Sequence, residues 1–183
     1  MDRLKKAQKA LIFFSNEGKK ERERWVLDKW LEIKFHDAPL PKITCPPKRP
    51  DFILDEGLAG ERFVEIVEIL HEGRKRYAEF QRDLRDAEAG KPFDPIPLGL
   101  EDIDEKGIQW ITETVGRKIQ KYSGKHDISN WILVIYANIW MFNTFDWDTL
   151  LVQIAGLSSG FRSIDIVYAQ EGSPLQVRTI WQS

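Results

Sequence analysis

Apolar residues mark out the elements of this chain before any single side chain suggests chemistry. Leu4, Ala7, Leu11 and Phe14 recur at helical spacing among Lys5, Lys6 and Lys9, which predicts a short basic amphipathic helix ending near Ser15-Asn16-Glu17-Gly18. A second stripe, Val26, Leu27, Trp30 and Leu31, predicts a helix from about Lys19 to Ile33 with Glu23 on the same side. Five prolines between Pro39 and Pro50 then hold the chain extended and feed it into a strand, Asp51 to Leu54. Asp55-Glu56-Gly57 and Ala59-Gly60 supply a turn, so Phe63 to Leu70 is expected to return as the second arm of a hairpin.

Gly73 to Ala89 is polar and helix-forming, with Tyr77, Phe80 and Leu84 as its apolar line. Gly107 to Tyr122 carries Ile108, Ile111, Val115 and Ile119 at helical spacing. Trp131 to Ile139 is almost continuously apolar, as expected of a strand covered on both faces. A helix over Asp146 to Ala155 and strands over Ile164 to Ala169 and Leu175 to Trp181 complete the pattern. This order implies an α/β fold with a mixed central sheet flanked by helices, and 183 residues suit a single domain spanning the chain.

The run FVEIVEIL is the one apolar strand pattern that carries two carboxylates. Strand alternation places Phe63, Glu65, Val67 and Ile69 on one face and Val64, Ile66, Glu68 and Leu70 on the other. An ionised carboxylate withdrawn from water without a partner costs several kcal/mol. At least one of these glutamates therefore needs a cation, a metal ion or solvent beside it.

Composition narrows the functional classes. Twenty-seven basic against 29 acidic residues leave a net charge of −2, so the summed field does not attract nucleic acid and any such role needs local clustering. One cysteine, Cys45, excludes an intrachain disulfide framework and a cysteine-based zinc site, and fits a reducing, cytoplasmic setting. No apolar run is long enough for a membrane span. His36, His71 and His126 lack metal-ligand spacing, and there is no P-loop, dinucleotide fingerprint or nucleophile elbow.

What remains is a set of carboxylates and cations. Asp51 opens the first hairpin arm, Glu65 lies within the second, and Glu23 lies on the inner side of a helix. Hard oxygen donors from one hairpin suit Mg²⁺ or Mn²⁺, which take one or two carboxylates and fill the remaining positions with water and phosphate. The order of a helical glutamate in KKERERWV, Pro50-Asp51, and a strand glutamate in VEIV resembles the PD-(D/E)XK nuclease superfamily, with its restriction-endonuclease-like fold. The chain is similar, more closely, to an uncharacterised bacterial family of that fold group through KKERERWV, CPPKRPDFIL, VEIVEILHEGRKR and RKIQKY, between Phe14 and Ile139.

The resemblance implies Asp51 and Glu65 as metal ligands, the Val67 backbone as a further oxygen, and Glu23 as an auxiliary acid. The superfamily pattern asks for lysine where this chain has Val67, and that lysine orients the attacking water and stabilises developing negative charge. By the resemblance, a relocated lysine would fill the role, with Lys118 and Lys121 as candidates. Arg74, Lys75 and Arg76, together with Arg117 and Lys125, are candidate contacts to DNA or another nucleic acid.

Duller accounts stand beside these. Asp51 can simply cap a turn, Glu65 can pair with an arginine such as Arg24, and the basic clusters can be solvated helix ends. The aromatic stretch from Trp140 to Trp147 can pack under a strand-to-helix connection or form an interface, including one between copies of the chain. Two functions follow: a Mg²⁺-dependent nuclease, or a non-catalytic binding or protein-interaction module of the same fold.

Overall fold

The computed structural model describes residues 3–70, 76–92, 103–141, 145–157, 160–170 and 173–183. Two compact units are present, one formed by Met1–Trp25 with His71–Glu101 and the other by Val26–Leu70 with Asp102–Ser183.

In the first unit, α1 (Arg3–Phe14) packs against α3 (Arg76–Glu88). The rings of Phe14 and Phe80 stack at 4.9 Å, and Arg3 pairs with Asp83. The first turns of α2 (Lys19–Lys34) follow a tight corner at Gly18, where a Cβ would lie 2.4 Å from the carbonyl oxygens of Ile12 and Phe13. Arg22 reaches back to the carbonyls of Phe13 and Ser15 and satisfies acceptors at the end of α1.

The second unit is a six-stranded mixed sheet in sequence order: β1 (Lys42–Thr44), β2 (Phe52–Asp55), β3 (Glu61–Leu70), β4 (Trp131–Met141), β5 (Ser163–Gln170) and β6 (Leu175–Gln182). The central pairs β3·β4 and β4·β5 are parallel, and the outer pairs are antiparallel. A short 3-10 turn, Gly57–Ala59, joins β2 to β3, with Gly57 and Gly60 at positive φ. The expected hairpin is thus present, and the α/β class with a mixed sheet holds.

One element was not visible in the sequence. The proline-rich connection contains β1, three residues that pair with β2 at the sheet edge.

The alternation expected of β3 is realised. Phe63, Val67 and Ile69 join the cluster built with α4 (Ile103–Tyr122) and α5 (Trp147–Ala155), centred on Ile111, Val115, Leu133, Ile135, Leu150 and Ile166. Val64 and Ile66 join Val26, Leu27, Trp30 and Leu31 of α2 on the other face. Strand β4 divides likewise, so its continuous apolar run reflects burial on both sides. Each fully buried aliphatic side chain in these layers contributes about 1.5–3 kcal/mol of transfer free energy. Among the described residues no helix is long and apolar enough to cross a membrane.

Candidate active site

Register brings Asp51 and Glu65 together. The β2–β3 ladder pairs Ile53 with Phe63 and ends at Phe52 with Val64, and the same register carried one residue further puts Asp51, just outside β2, opposite Glu65. Side chains directly opposite in an antiparallel pair share a face. Asp51 is further fixed by accepting the Ile66 backbone N–H on Oδ2 at 2.8 Å, which leaves Oδ1 out of that bond.

Helix α4 delivers the cations. Its buried stripe, Ile108, Ile111 and Val115, continues one turn further to Lys118 and then to Tyr122, four residues on and on the same face. Glu65 is 1% exposed and points into this end of the helix. Its Oε1 accepts Lys118 Nζ at 2.7 Å and Tyr122 Oη at 2.6 Å, and also receives Arg49. Its Oε2 is buried with no hydrogen-bond partner among the described residues.

A lone buried carboxylate oxygen beside three donors on its twin is uncommon, because an unmet buried polar atom carries its full desolvation cost, about 1–3 kcal/mol or more when charged. Glu65 therefore offers one anchored oxygen and one open one.

Arg49 and Lys121 complete the cluster around the Tyr122 ring. The Arg49 guanidinium carbon lies 5.5 Å from the ring centroid and Lys121 Nζ lies 5.4 Å from it. Trp131 packs at 5.1 Å and His126 at 6.1 Å from the same ring, which holds it in place. Lys121 is held below the ordinary lysine range. Partial desolvation is the main cause and the like charges of Arg49 and Lys118 add to it, against the raising pull of Glu65 and Asp51.

A depressed lysine has more free amine at a given pH. In pH-stepped labelling with limiting acetic anhydride, Lys121 should therefore reach half-maximal acylation at lower pH than the same lysine in an unfolded peptide covering residues 115–127. Peptide mass spectrometry reads this directly, and an equal or higher midpoint contradicts the packing around Lys121.

Of the residues singled out from the sequence, Asp51, Glu65, Lys118 and Lys121 are gathered in one place. Glu65 is matched by Lys118 and Arg49, where the sequence had suggested an arginine such as Arg24. Glu23 belongs to the other unit, where it pairs with Lys19 at 3.1 Å. Arg117 is exposed and donates to Thr114 Oγ1 at 3.0 Å, and Lys125 is exposed just beyond α4. Arg74 and Lys75 lie outside the described residues, as do the side chains of Arg76 and Trp140 and the whole of Phe142. Phe145 packs in the core, 4.8 Å from Trp147, whose ring lies 4.9 Å from Tyr168 and under Arg178 at 4.6 Å. The described part of that stretch is therefore core packing.

Arg49 and Tyr122 were not found in the sequence. The signal for Tyr122 was there, since Ile108, Ile111 and Val115 extended by seven residues reach it. Arg49 gave no comparable signal, because its role depends on a cation crossing to a strand sixteen residues away.

Among the described residues no group of three or more His, Cys, Asp or Glu side chains gathers as a metal cage. Glu65 Oε2, unpartnered among the described residues, and Asp51, whose Oδ1 is outside the Ile66 bond, still fit a hard divalent ion that keeps most of its water.

A family model described as "Putative endonuclease, protein of unknown function (DUF1780)" matches residues 1–178. No curated protein matches the chain. Among solved structures, a Pseudomonas aeruginosa PAO1 protein of unknown function described as "Monooxygenase Superfamily" is similar at 20% identity with a TM-score of 0.55, covering 98% of this chain and 82% of that one. At that identity the likeness concerns the fold alone.

Proposed function

The chain belongs to this DUF1780 family, and on that premise we propose that it hydrolyses nucleic-acid phosphodiesters with Mg²⁺ or Mn²⁺ held by Asp51 and Glu65. The observation that carries the reading is the divided state of Glu65, with Oε1 fixed by Lys118, Tyr122 and Arg49 and Oε2 buried without a partner among the described residues. We read the sheet as restriction-endonuclease-like on the same ground: a β2–β3 hairpin carries the two carboxylates, and a helix supplies the lysine that β3 lacks at Val67. The monooxygenase description of the structural neighbour gives no reason to assign redox chemistry to this site.

A divalent ion there would supply Lewis-acid polarisation of a phosphoryl oxygen and a more acidic water. The protein's own contribution is positional. Tyr122 and Lys118 hold Glu65 in one orientation, the Ile66 amide holds Asp51, and the Lys118 ammonium beside Glu65 would stabilise negative charge developing there.

Calorimetric titration with Mn²⁺ tests this. Wild-type protein should show saturable binding that weakens at least about tenfold in both Asp51→Asn and Glu65→Gln, in line with the loss of a metal ligand. Supercoiled plasmid should be nicked with Mg²⁺ or Mn²⁺ and not in EDTA. Mn²⁺ binding indifferent to both substitutions removes the metal from this site, and binding without nicking favours the non-catalytic module.

A further inference from the structure

We propose that Arg49 and Lys121, gathered on the Tyr122 ring beside Glu65, form a phosphate-binding subsite that grips a nucleic-acid backbone without help from a metal ion. The inference rests on the nucleic-acid part of the reading above and is independent of catalysis.

The argument begins with charge. Lys118, 15% exposed and 2.7 Å from Glu65, already neutralises that carboxylate. Arg49 is a second cation on the same oxygen, and its side chain is 39% exposed. Its planar guanidinium carries five N–H donors, and among the described residues only Nη1 is used, toward Glu65. Lys121 makes no ion pair among the described residues, although Asp51 and Glu65 act on it. Among the described residues three cations therefore face two carboxylates, and the surplus positive charge lies on the two members that reach solvent.

Geometry supports the same conclusion. Arg49 is anchored at one end by Glu65 and stacked on Tyr122, so its entropy cost is already largely met and its outer edge is presented as a fork, the shape that suits paired phosphate oxygens. Lys121 stands at the same ring as a point charge. Among the described residues Glu65 and Asp51 offset only part of the mutual repulsion of Arg49, Lys118 and Lys121, and an incoming anion relieves the remainder. The like charges that depress Lys121 are the same ones an oxyanion would balance.

The test uses the full chain in EDTA. Fluorescence anisotropy follows a labelled oligonucleotide, single-stranded and duplex, across a salt series, and calorimetry follows inorganic phosphate. Arg49→Gln and Lys121→Gln should each weaken oligonucleotide binding about tenfold and make the salt dependence shallower by about one unit of slope, while Lys106→Gln, on an exposed turn of α4, should not. Arg49→Lys should restore only part of the affinity. Lys121 is exposed, so its variant should keep the wild-type melting curve even if an Arg49 variant folds poorly.

Binding of inorganic phosphate that both variants lose, with no oligonucleotide binding, keeps the subsite and assigns it free phosphate. Wild-type affinity and slope in both variants, or no binding of either probe by wild type, overturns it. Binding that depends on Arg49 and Lys121 in a protein that never cleaves removes the catalytic reading and leaves the subsite.

Discussion

Lys118→Met should reduce metal-supported phosphodiester cleavage about 10²- to 10³-fold, the usual scale for removing one preorganised group that meets developing negative charge. The position is specific. On β3, the residue two after Glu65 is Val67, an apolar side chain packed against the core, so no ammonium comes from the strand. Helix α4 brings one from the other direction, at 2.7 Å from Glu65 Oε1 and largely shielded from water.

Methionine approximates the apolar stem of the lysine and removes the ammonium, with its charge and its hydrogen bond to Glu65. Glu65 retains Tyr122 and Arg49, so the stability loss should stay near 1–3 kcal/mol, below the 3–5 kcal/mol typical when a buried charge loses its sole partner. Cleavage is measured well below the melting midpoint, and urea unfolding measures stability separately. Lys118→Arg should recover part of the rate because the charge returns with altered geometry. Undiminished cleavage by Lys118→Met, in a protein whose wild type cleaves, removes Lys118 from the chemistry.

Legibility in the sequence followed the range of each interaction. Helices and strands with their own apolar period could be read directly, including the division of β3 into two faces and the double burial of β4. The three-residue β1 could not, because it exists only through pairing with β2 and its own sequence, Lys42-Ile43-Thr44, has no period to detect.

The candidate site divides in the same way. Asp51 and Glu65 are neighbours through a hairpin, a local pairing that turn residues announce. Lys118 meets Glu65 across 53 residues of sequence, and only the resemblance to a superfamily that asks for a lysine singled it out.

A second buried carboxylate gives the other large expected effect, this time on stability. Asp165 on β5 is 1% exposed, and nothing in the pattern SIDIVYAQ distinguished it from a solvent-facing strand residue. It faces α2 and β6, where Trp30 Nε1 donates at 2.9 Å, Thr179 Oγ1 at 2.5 Å, and Lys34 Nζ lies at 3.2 Å.

Asp165→Ala should destabilise the protein by about 3–5 kcal/mol. It removes hydrogen bonds to a charged group, each worth about 1.5–3 kcal/mol, and strands the indole N–H of Trp30, which is 2% exposed. Lys34 limits the damage because its side chain is 34% exposed and can turn to water.

Asp165→Asn preserves shape and one acceptor and should cost about half as much. In the background of Lys34→Met the same Asn substitution should cost less again, because the ion pair is already gone. Urea unfolding of the wild type, the three single variants and the double variant measures these differences. A loss below about 1 kcal/mol for Asp165→Ala would contradict a buried, fully bonded carboxylate. Oligonucleotide binding per folded molecule should be unchanged throughout, since Asp165 supports the α2 face of the sheet whereas Arg49, Lys118 and Lys121 surround Glu65 on the α4 face.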